Sequence, residues 1–222
     1  MLFRSRSLGI NTWIARILPQ ESYEDRFWKA LEQSVRASDV VWDVGANVGL
    51  YSSKFSGLVG ATGKVIAFEP SPANRAILQA NVSALRNVVV QPLALGRSAG
   101  DVKFSQGEDS LGATSRVVDS ADAIGGLINI RMDSGDSLVA SGDVPSPTVL
   151  KIDTEGFELD VIAGLRHCLS LESLRFVGIE VHFGILEDRG LGSAPAEIEQ
   201  ILQRSGFRIQ WVDPSHIVGR RC

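Results

Sequence analysis

Residues 40–51 read Val-Val-Trp-Asp-Val-Gly-Ala-Asn-Val-Gly-Leu-Tyr, and this stretch decides the fold class. An apolar run rich in β-branched residues ends near Asp43, two spaced glycines follow, and a segment able to begin a helix comes next. This order predicts a buried strand, a tight loop and a helix whose first N–H groups face a ligand. The stretch therefore favours an α/β fold with a nucleotide-type cofactor site at the loop.

The glycine spacing and the acid distinguish two classes of cofactor. A dinucleotide site reads Gly-x-Gly-x-x-Gly, and its loop faces an anionic pyrophosphate. Here Asp43 precedes Gly45 and Gly49, and this loop has no close glycine pair. A carboxylate would repel a pyrophosphate but would suit the ammonium group of S-adenosylmethionine (SAM). The loop alone therefore favours SAM and leaves NAD open.

Composition limits the class of protein. The chain has 222 residues, 44% of them apolar, and a formal net charge of −4. This length predicts one domain at residues 39–222, preceded by an N-terminal helical extension or cap at residues 1–38. The sequence has no apolar run of about 18 residues, so it predicts no transmembrane segment. The net negative charge does not favour binding to nucleic acid. Two cysteines without a Cys-x-x-Cys spacing predict a cytoplasmic protein. A homo-oligomer is compatible with the sequence.

Five apolar runs predict parallel strands that alternate with helices, ending near residues 44, 70, 93, 153 and 182. Residues 206–212 and 217–218 predict an antiparallel hairpin at one edge. The result is a mostly parallel seven-stranded sheet flanked by helices. The helix after Pro72 is expected to turn Ile77, Leu78 and Val82 inward. Residues 97–143 predict a loop-rich insertion that acts as a lid or substrate-binding element.

The second and third strands are expected to complete a cofactor site, because sheets of this kind bind ligands at the carboxyl ends of their strands. Glu69 follows Gly45 by 24 residues, close to the spacing of about 20 for a carboxylate that binds ribose hydroxyls. Glu69 could instead cap the next helix. Because Ser71 can cap that helix and Pro72 can open it, we favour the ribose role. Ala94, after the third strand, is expected to form a wall of the cofactor site.

The fourth and fifth strands deliver titratable side chains to the same edge. Methyl transfer to a hydroxyl needs an aligned acceptor and a base for its proton. His182 is a candidate base because an unperturbed imidazole titrates near neutral pH, and Asp153 is another if burial raises its pKa. Glu155 is expected beside them. The spacing of these three residues is not diagnostic of a divalent cation, so no metal ligand is assigned.

Other charged residues of this region receive supporting or open roles. Lys151 is expected on the opposite face of its strand from Asp153, in a structural role. Glu158 could bind the acceptor, cap a helix or be solvated. His167 and His216 are expected to be peripheral.

Four motifs resemble the FkbM-type SAM-dependent methyltransferases. They read Asp43-Val-Gly-Ala-Asn-Val-Gly-Leu-Tyr-Ser, Phe68-Glu-Pro-Ser-Pro, Lys151-Ile-Asp-Thr-Glu-Gly-Phe-Glu and Ile179-Glu-Val-His. The resemblance spans roughly residues 38–183 and implies a Rossmann-like class I methyltransferase fold. It also implies SAM as cofactor and a small hydroxylated acceptor, either a sugar or a polyketide-like natural product, that is methylated on oxygen. Residues 39–222 would then be the methyltransferase domain.

The resemblance also implies residue roles. The cofactor-binding residues would be Asp43, Gly45, Ala46, Asn47 and Gly49 at the methionine part, Glu69 at the ribose, and Pro70 and Ala94 beside them. Asp153 and Glu155 would lie at the methyl-transfer end, with His182 as the further catalytic candidate. Residues 132–134 read Met-Asp-Ser where such proteins often have Thr-Leu-Asp, which leaves the substrate-side wall open.

Two other classes of function stay open. An NAD-dependent oxidoreductase of nucleotide sugars would need a close glycine pair in the first loop and a Tyr-x-x-x-Lys dyad, and the sequence has neither. A non-catalytic SAM-binding protein would share the cofactor motifs without turnover.

Overall fold

The computed structural model describes residues 23–105, 116–117 and 127–221. The helices are α1 Tyr23–Glu32, α2 Leu50–Val59, α3 Pro72–Val82, α4 Gly135–Ala140, α5 Glu158–Ala163, α6 Arg166–Ser170, α7 Phe183–Asp188 and α8 Ala194–Arg204. The strands are β1 Val40–Val44, β2 Lys64–Phe68, β3 Val88–Gln91, β4 Ala94–Leu95, β5 Gly100–Ser105, β6 Arg116–Val117, β7 Leu127–Asp133, β8 Val149–Ile152, β9 Phe176–Glu180, β10 Phe207–Trp211 and β11 His216–Arg221.

Seven strands form the main sheet in the order β10-β11-β9-β8-β1-β2-β3. Strand β1 pairs in parallel with β2 and β8, and β9 pairs in parallel with β8. Strand β11 is antiparallel to both of its neighbours, β9 and β10. The predicted α/β fold, with a mostly parallel seven-stranded sheet and a terminal hairpin, is confirmed.

Helices cover both faces of the sheet, which explains why its central strands are apolar throughout. On one face, Trp42 and its neighbours form a large cluster with α5, α6 and α8. On the other face, Phe27 and Leu31 of α1 pack with Phe55 of α2 against apolar residues of the sheet. Helix α1 therefore lies on the sheet, and the N-terminal helical extension as a whole stays a prediction. Residues 1–22, the rest of the predicted extension, lie outside the described residues.

One detail of the predicted helix packing is wrong. Leu78 is completely buried and Val82 is almost so, whereas Ile77 is 42% exposed. Residues 78 and 82 are one turn apart and share the inward face of α3, and Ile77 lies to the side of that stripe. The apolar character of Ile77 was therefore a poor guide to its direction.

A second sheet with the order β4-β7-β5-β6 occupies part of the segment predicted to be loop-rich. Strands β5 and β7 are antiparallel, and β4 is parallel to β7. Phe104 and Ile130 pack with Ala94 and with Phe157, which follows β8. The sheet is therefore joined to the segment that follows β8. Its predicted role as a lid stays a prediction, and residues 106–115 and 118–126 are outside the described chain.

None of the helices within residues 23–105, 116–117 and 127–221 has the length and apolar content needed to cross a membrane.

Candidate active site

The candidate active site lies at the carboxyl ends of the central strands. Strands β1 and β8 are neighbours in the sheet, and the chain passes from β1 to β2 on the other side. Such a reversal of strand order leaves a crevice above the strand ends, where α/β proteins bind ligands. The loops that leave β1, β2, β8 and β9 carry the residues singled out in the sequence.

The loop after β1 is fixed by tight backbone contacts. Gly45 has a φ of +77°, and Gly49, which precedes α2, has a φ of +89°. The N–H groups of Gly45 and Ala46 both donate to the carbonyl of Phe68, at 3.1 and 3.0 Å. A Cβ added to Gly45 would lie 1.8 Å from the carbonyl oxygen of Asp153. Position 45 therefore excludes any side chain, because the loop directly contacts the end of β8.

Glu69 links the loop after β1 to the start of α3. Its carboxylate is almost fully buried and accepts hydrogen bonds from the N–H groups of Asn47 and Ser71, each at 2.8 Å. Burial raises the pKa of Glu69 to about 7, although both hydrogen bonds act in the opposite direction. Ser71 caps α3 and Pro72 opens it, as predicted. Glu69 is nevertheless not left free by this cap, because it also binds the Ser71 N–H.

The remaining residues of the predicted cofactor set are close to this loop or beside the second sheet. Asn47 has a φ of +50°, and its buried Oδ1 has no hydrogen-bond partner among the described residues. Pro70 is half-buried, and its carbonyl accepts a bond from Arg75 at 2.9 Å. Ala94 is buried beside Phe157. Ligand contact by these residues stays a prediction.

Asp43 is placed differently from the sequence-based expectation. Its side chain is completely buried, so it is not open to the ammonium group that the sequence predicted beside it. It accepts a hydrogen bond from the Ser52 hydroxyl at 2.6 Å and lies 3.2 Å from Nζ of Lys151. Asp43 and Lys151 are directly opposite each other on β1 and β8. The positive charge that Asp43 faces in this structure is therefore Lys151.

Lys151 contacts the carboxylates of both Asp43 and Asp153. Its Nζ lies 3.3 Å from Oδ2 of Asp153 and donates to the Gly45 carbonyl at 3.2 Å. Burial alone would lower the pKa of Lys151, but Asp43 and Asp153 outweigh it and raise the value. The structural role predicted for Lys151 is consistent with these contacts. The expectation that it faces away from Asp153 is wrong, because residues two apart on a strand share a face.

The structure brings the three predicted catalytic residues together. Nε2 of His182 lies 3.3 Å from Glu155 and 3.7 Å from Oδ1 of Asp153. The other ring nitrogen of His182, Nδ1, lies 2.9 Å from the completely buried carboxylate of Glu158. The nearest donor atoms of Asp153, Glu155 and His182 are all within 4.8 Å of one another, so this group is also able to hold a metal ion.

The charges of this group shift its protonation equilibria. Burial favours a neutral His182, but the hydrogen bond to Glu158 and the nearby carboxylates raise the pKa of His182 to about 9. Burial raises the pKa of Glu155 to about 7, and it also raises the pKa of Asp153 despite the attraction of Lys151. The reason for considering His182 as a base, titration near neutral pH, is therefore wrong. Asp153 was a candidate base only if burial raised its pKa, and burial does raise it.

Two side-chain partnerships at this edge were not predicted from the sequence. Glu158 is the buried partner of His182, and only its position three residues after Glu155 hinted at a shared site. His216 is not peripheral, because it is buried between Asp213 at 2.8 Å and Glu180 at 3.4 Å. No local pattern links positions 180 and 216, which meet through the antiparallel register of β9 and β11. His167 is exposed, as expected.

Two curated proteins are similar to most of this chain. The hexuronic acid methyltransferase AglP of Haloferax volcanii is 30% identical over 226 residues, which cover 99% of this chain and 81% of that protein. The 31-O-demethyl-FK506 methyltransferase FkbM of Streptomyces tacrolimicus is 27% identical, with coverage of 90% of this chain and 84% of that protein.

Solved methyltransferase structures share the fold. A methyltransferase FkbM from Methylobacillus flagellatus gives a TM-score of 0.54 at 16% identity; the match covers 86% of this chain but only 50% of that chain. A putative methyltransferase from Streptococcus mutans, solved in complex with SAH, gives a TM-score of 0.54 at 10% identity, with coverage of 93% and 100%. These likenesses confirm the class I methyltransferase fold.

The family assignment agrees with the four motifs and with the strand order. Residues 43–209 match the methyltransferase FkbM domain. This range begins at the acid of the first loop and ends within β10, so it contains the whole candidate active site. The chain belongs to the FkbM family of methyltransferases.

Proposed function

We propose that this protein is a SAM-dependent methyltransferase that methylates a hydroxyl group of a sugar or natural-product acceptor. One observation carries the proposal. The glycine loop after β1 is in direct contact with the end of β8, because Gly45 approaches the carbonyl of Asp153 too closely for any side chain. The predicted cofactor loop and the cluster of Asp153, Glu155 and His182 therefore share one crevice.

The residues of the first loop fit SAM. The unpaired Oδ1 of Asn47 is a buried acceptor, which suits the ammonium of the methionine part. Glu69 is held in place by two backbone N–H groups, and each carboxylate oxygen keeps a further acceptor position for a ribose hydroxyl. Asp43 would act on the cofactor through Lys151 and the loop backbone, because its own carboxylate is buried. The SAH complex of a protein with this fold agrees with this cofactor class.

The carboxylates at the strand ends are suited to methyl transfer to a hydroxyl group. Bound SAM would supply an electrophilic methyl group. Asp153 and Glu155 present acceptor oxygens to the crevice, and either carboxylate can orient an incoming hydroxyl and receive its proton. Lys151 holds Oδ2 of Asp153, and Glu158 holds the imidazole of His182. These contacts help to hold the side chains of the cluster in place, which favours alignment of the acceptor.

The acceptor class is supported by the names of the two relatives. One is named for a hexuronic acid and the other for an oxygen of a macrocyclic natural product. Both acceptors carry several hydroxyl groups. A hexuronic acid also carries a carboxylate, which could be methylated to an ester, but a hydroxyl is the acceptor group that both compounds share. We therefore favour a hydroxyl acceptor.

Transfer of a labelled methyl group tests the proposal. The wild-type protein is incubated with methyl-labelled SAM and either an aryl glucuronide or the matching aryl glucoside. We expect label in both products and retention of the label after mild alkaline treatment, since a methyl ether survives conditions that hydrolyse a methyl ester. Label confined to the glucuronide and lost in alkali would contradict hydroxyl methylation.

The variant Asp153→Asn separates an enzyme from a binding protein. Asn keeps the size of the side chain but removes its charge, so we expect SAH binding to persist and turnover to fall by about 100-fold or more, as for loss of an orienting or proton-accepting group. Glu172→Gln, at an exposed site on another part of the surface, is the matched control and should keep full turnover. Equal turnover of Asp153→Asn and wild type would contradict the role of Asp153.

A further inference from the structure

We propose that Asp153, Glu155 and His182 bind a divalent cation of the Mg²⁺ or Mn²⁺ class. Each residue directs one donor atom toward a common space, and these three atoms lie within 4.8 Å of one another. Two carboxylate oxygens and one imidazole nitrogen form a ligand set that suits hard or borderline divalent cations. The three residues come from the ends of two adjacent strands, β8 and β9, whose pairing fixes their separation.

The orientation of His182 suits a metal ligand, and a bound cation would take the place of the proton that the surrounding carboxylates favour on the ring. Its Nδ1 is bound to Oε1 of Glu158 at 2.9 Å, while Nε2 faces Glu155 and Asp153. A histidine that binds a metal commonly uses its second ring nitrogen in this way, because the carboxylate fixes the ring orientation and increases the basicity of the ligating nitrogen. Glu158 itself is fixed by the N–H group of Gly156 at 2.9 Å.

The two oxygens of Asp153 have separate surroundings. Oδ2 is bound by Lys151 at 3.3 Å, and Oδ1 faces His182 at 3.7 Å, beyond the length of a good hydrogen bond. Lys151 therefore orients the carboxylate and leaves one oxygen for the common space. This division is suited to monodentate coordination of a cation.

Glu158, the partner of His182, is a second notable feature beside the ligand set. The side chain has no exposed surface, and its Oε2 has no hydrogen-bond partner in the part of the chain that the structure describes. A buried carboxylate oxygen without a partner is costly. A cation bound to Nε2 of His182 would lie on the other side of the imidazole ring from Glu158, and Glu158 would then pair with the metal-bound imidazole through Nδ1.

The catalytic role of the cation rests on the proposed function. The assignment of Asp153, Glu155 and His182 as its ligands does not, because it is argued from their geometry alone. Three protein ligands leave about three positions of an octahedral Mg²⁺ or Mn²⁺ ion for water or acceptor oxygens. Two adjacent hydroxyls of a sugar could fill two of these positions. Coordination would lower the pKa of the reacting hydroxyl and would align it with the cofactor loop. The site would thus select acceptors with neighbouring oxygen atoms.

A titration with Mn²⁺ alone tests the site, followed by electron paramagnetic resonance of the free ion and carried out without SAM or acceptor. We expect one Mn²⁺ per chain for the wild-type protein. Removal of a ligand in Glu155→Gln or Asp153→Asn should weaken Mn²⁺ binding by about 10- to 100-fold or more, the range found for altered metal environments. The exposed control Glu172→Gln should bind Mn²⁺ like the wild type.

Parallel measurements separate this proposal from the proposed function. Unfolding curves verify that each variant is folded, and SAH binding is measured by calorimetry on the same samples. Mn²⁺ binding that is lost in Glu155→Gln while SAH binding persists supports the cation site. SAH binding without any Mn²⁺ binding by the wild type would overturn the cation site and leave the proposed function standing. Equal Mn²⁺ affinity in Glu155→Gln and wild type would also overturn it.

Discussion

Nζ of Lys151 lies 3.2 Å from Oδ1 of Asp43, and both side chains are buried in the centre of the main sheet. The pair joins β1 to β8 directly below the strand ends that carry the candidate active site. Lys151 also holds Asp153, so one ammonium group connects the loop after β1 to the acidic cluster. A change at this lysine should therefore affect both stability and function.

Replacement of Lys151 by Met should destabilise the fold strongly. The variant leaves Asp43 as a buried carboxylate without its cation, and loss of one partner of a buried ion pair costs about 3–5 kcal/mol. Urea unfolding measures the difference in the free energy of unfolding. The exposed lysine of β5 provides the control Lys103→Met, which should change stability by less than about 0.5 kcal/mol.

The double variant Asp43→Asn/Lys151→Met provides a further check, since it removes both charges. It should be more stable than Lys151→Met alone. If Lys151→Met unfolds at the same urea concentration as Lys103→Met, the buried pair does not have the structural role assigned to it.

Replacement of Gly45 by Ala should disrupt the loop. The added Cβ would lie 1.8 Å from the carbonyl oxygen of Asp153, and the φ of +77° is unfavourable for alanine. We expect a loss of at least about 2 kcal/mol of stability together with loss of SAH binding. Gly57→Ala, where the added Cβ meets no atom within 4 Å, should be stabilising by up to about 1 kcal/mol because it lies in α2. Similar unfolding curves for the two variants would contradict the close contact.

The histidine at position 216 should make stability depend on pH. Burial would lower the pKa of His216, but its bonds to Glu180 and Asp213 outweigh burial and raise the value above 6.5. A group whose pKa is raised by folding stabilises the fold fully below its unfolded pKa, and this contribution disappears as pH rises through the folded pKa.

Urea unfolding from pH 6 upward compares wild type with His216→Gln. The stability difference between the two proteins should be largest near pH 6 and should decrease as the pH rises. A difference that does not change with pH would show that His216 is not held in its charged form by these carboxylates.

The thiol of Cys168 should be unreactive in the native protein. The side chain has no exposed surface, and burial together with Asp136 raises the pKa of Cys168 to about 12. Alkylation by iodoacetamide requires an accessible thiolate. In a Cys222→Ser background, mass spectrometry at pH 8 should therefore detect labelling only on the timescale of unfolding. Rapid labelling of the folded protein would contradict the position of Cys168 in the core.

Local patterns were sufficient to predict the organisation of the site. The apolar run before Asp43, the spaced glycines and the matching acids after later strands all place side chains at one edge of a parallel sheet. The structure brings Asp153, Glu155 and His182 together at that edge. Strand β1 ends at Val44 as predicted, whereas the other four end one or two residues early, for example β9 at Glu180, because residues near the carboxyl ends leave the sheet to form the site.

Partnerships between distant residues could not be read from the sequence. The Asp43–Lys151 pair depends on the register of β1 with β8, and the Glu180–His216 pair depends on the position of β11 beside β9. The raised pKa of His182 depends on a carboxylate, Glu158, whose burial no local pattern indicated. These properties arise from strand order and burial, which determine the charges around each group.

Calorimetric titration with SAH, and separately with NAD⁺, distinguishes a SAM site from a dinucleotide site in the folded protein. We expect that one SAH binds per chain and that NAD⁺ gives no signal. Glu69→Ala should weaken SAH binding by about 10-fold or more, because the N–H groups of Asn47 and Ser71 lose their acceptor and the ribose loses a partner. Stoichiometric NAD⁺ binding without any SAH binding by the folded wild-type protein would contradict the SAM site.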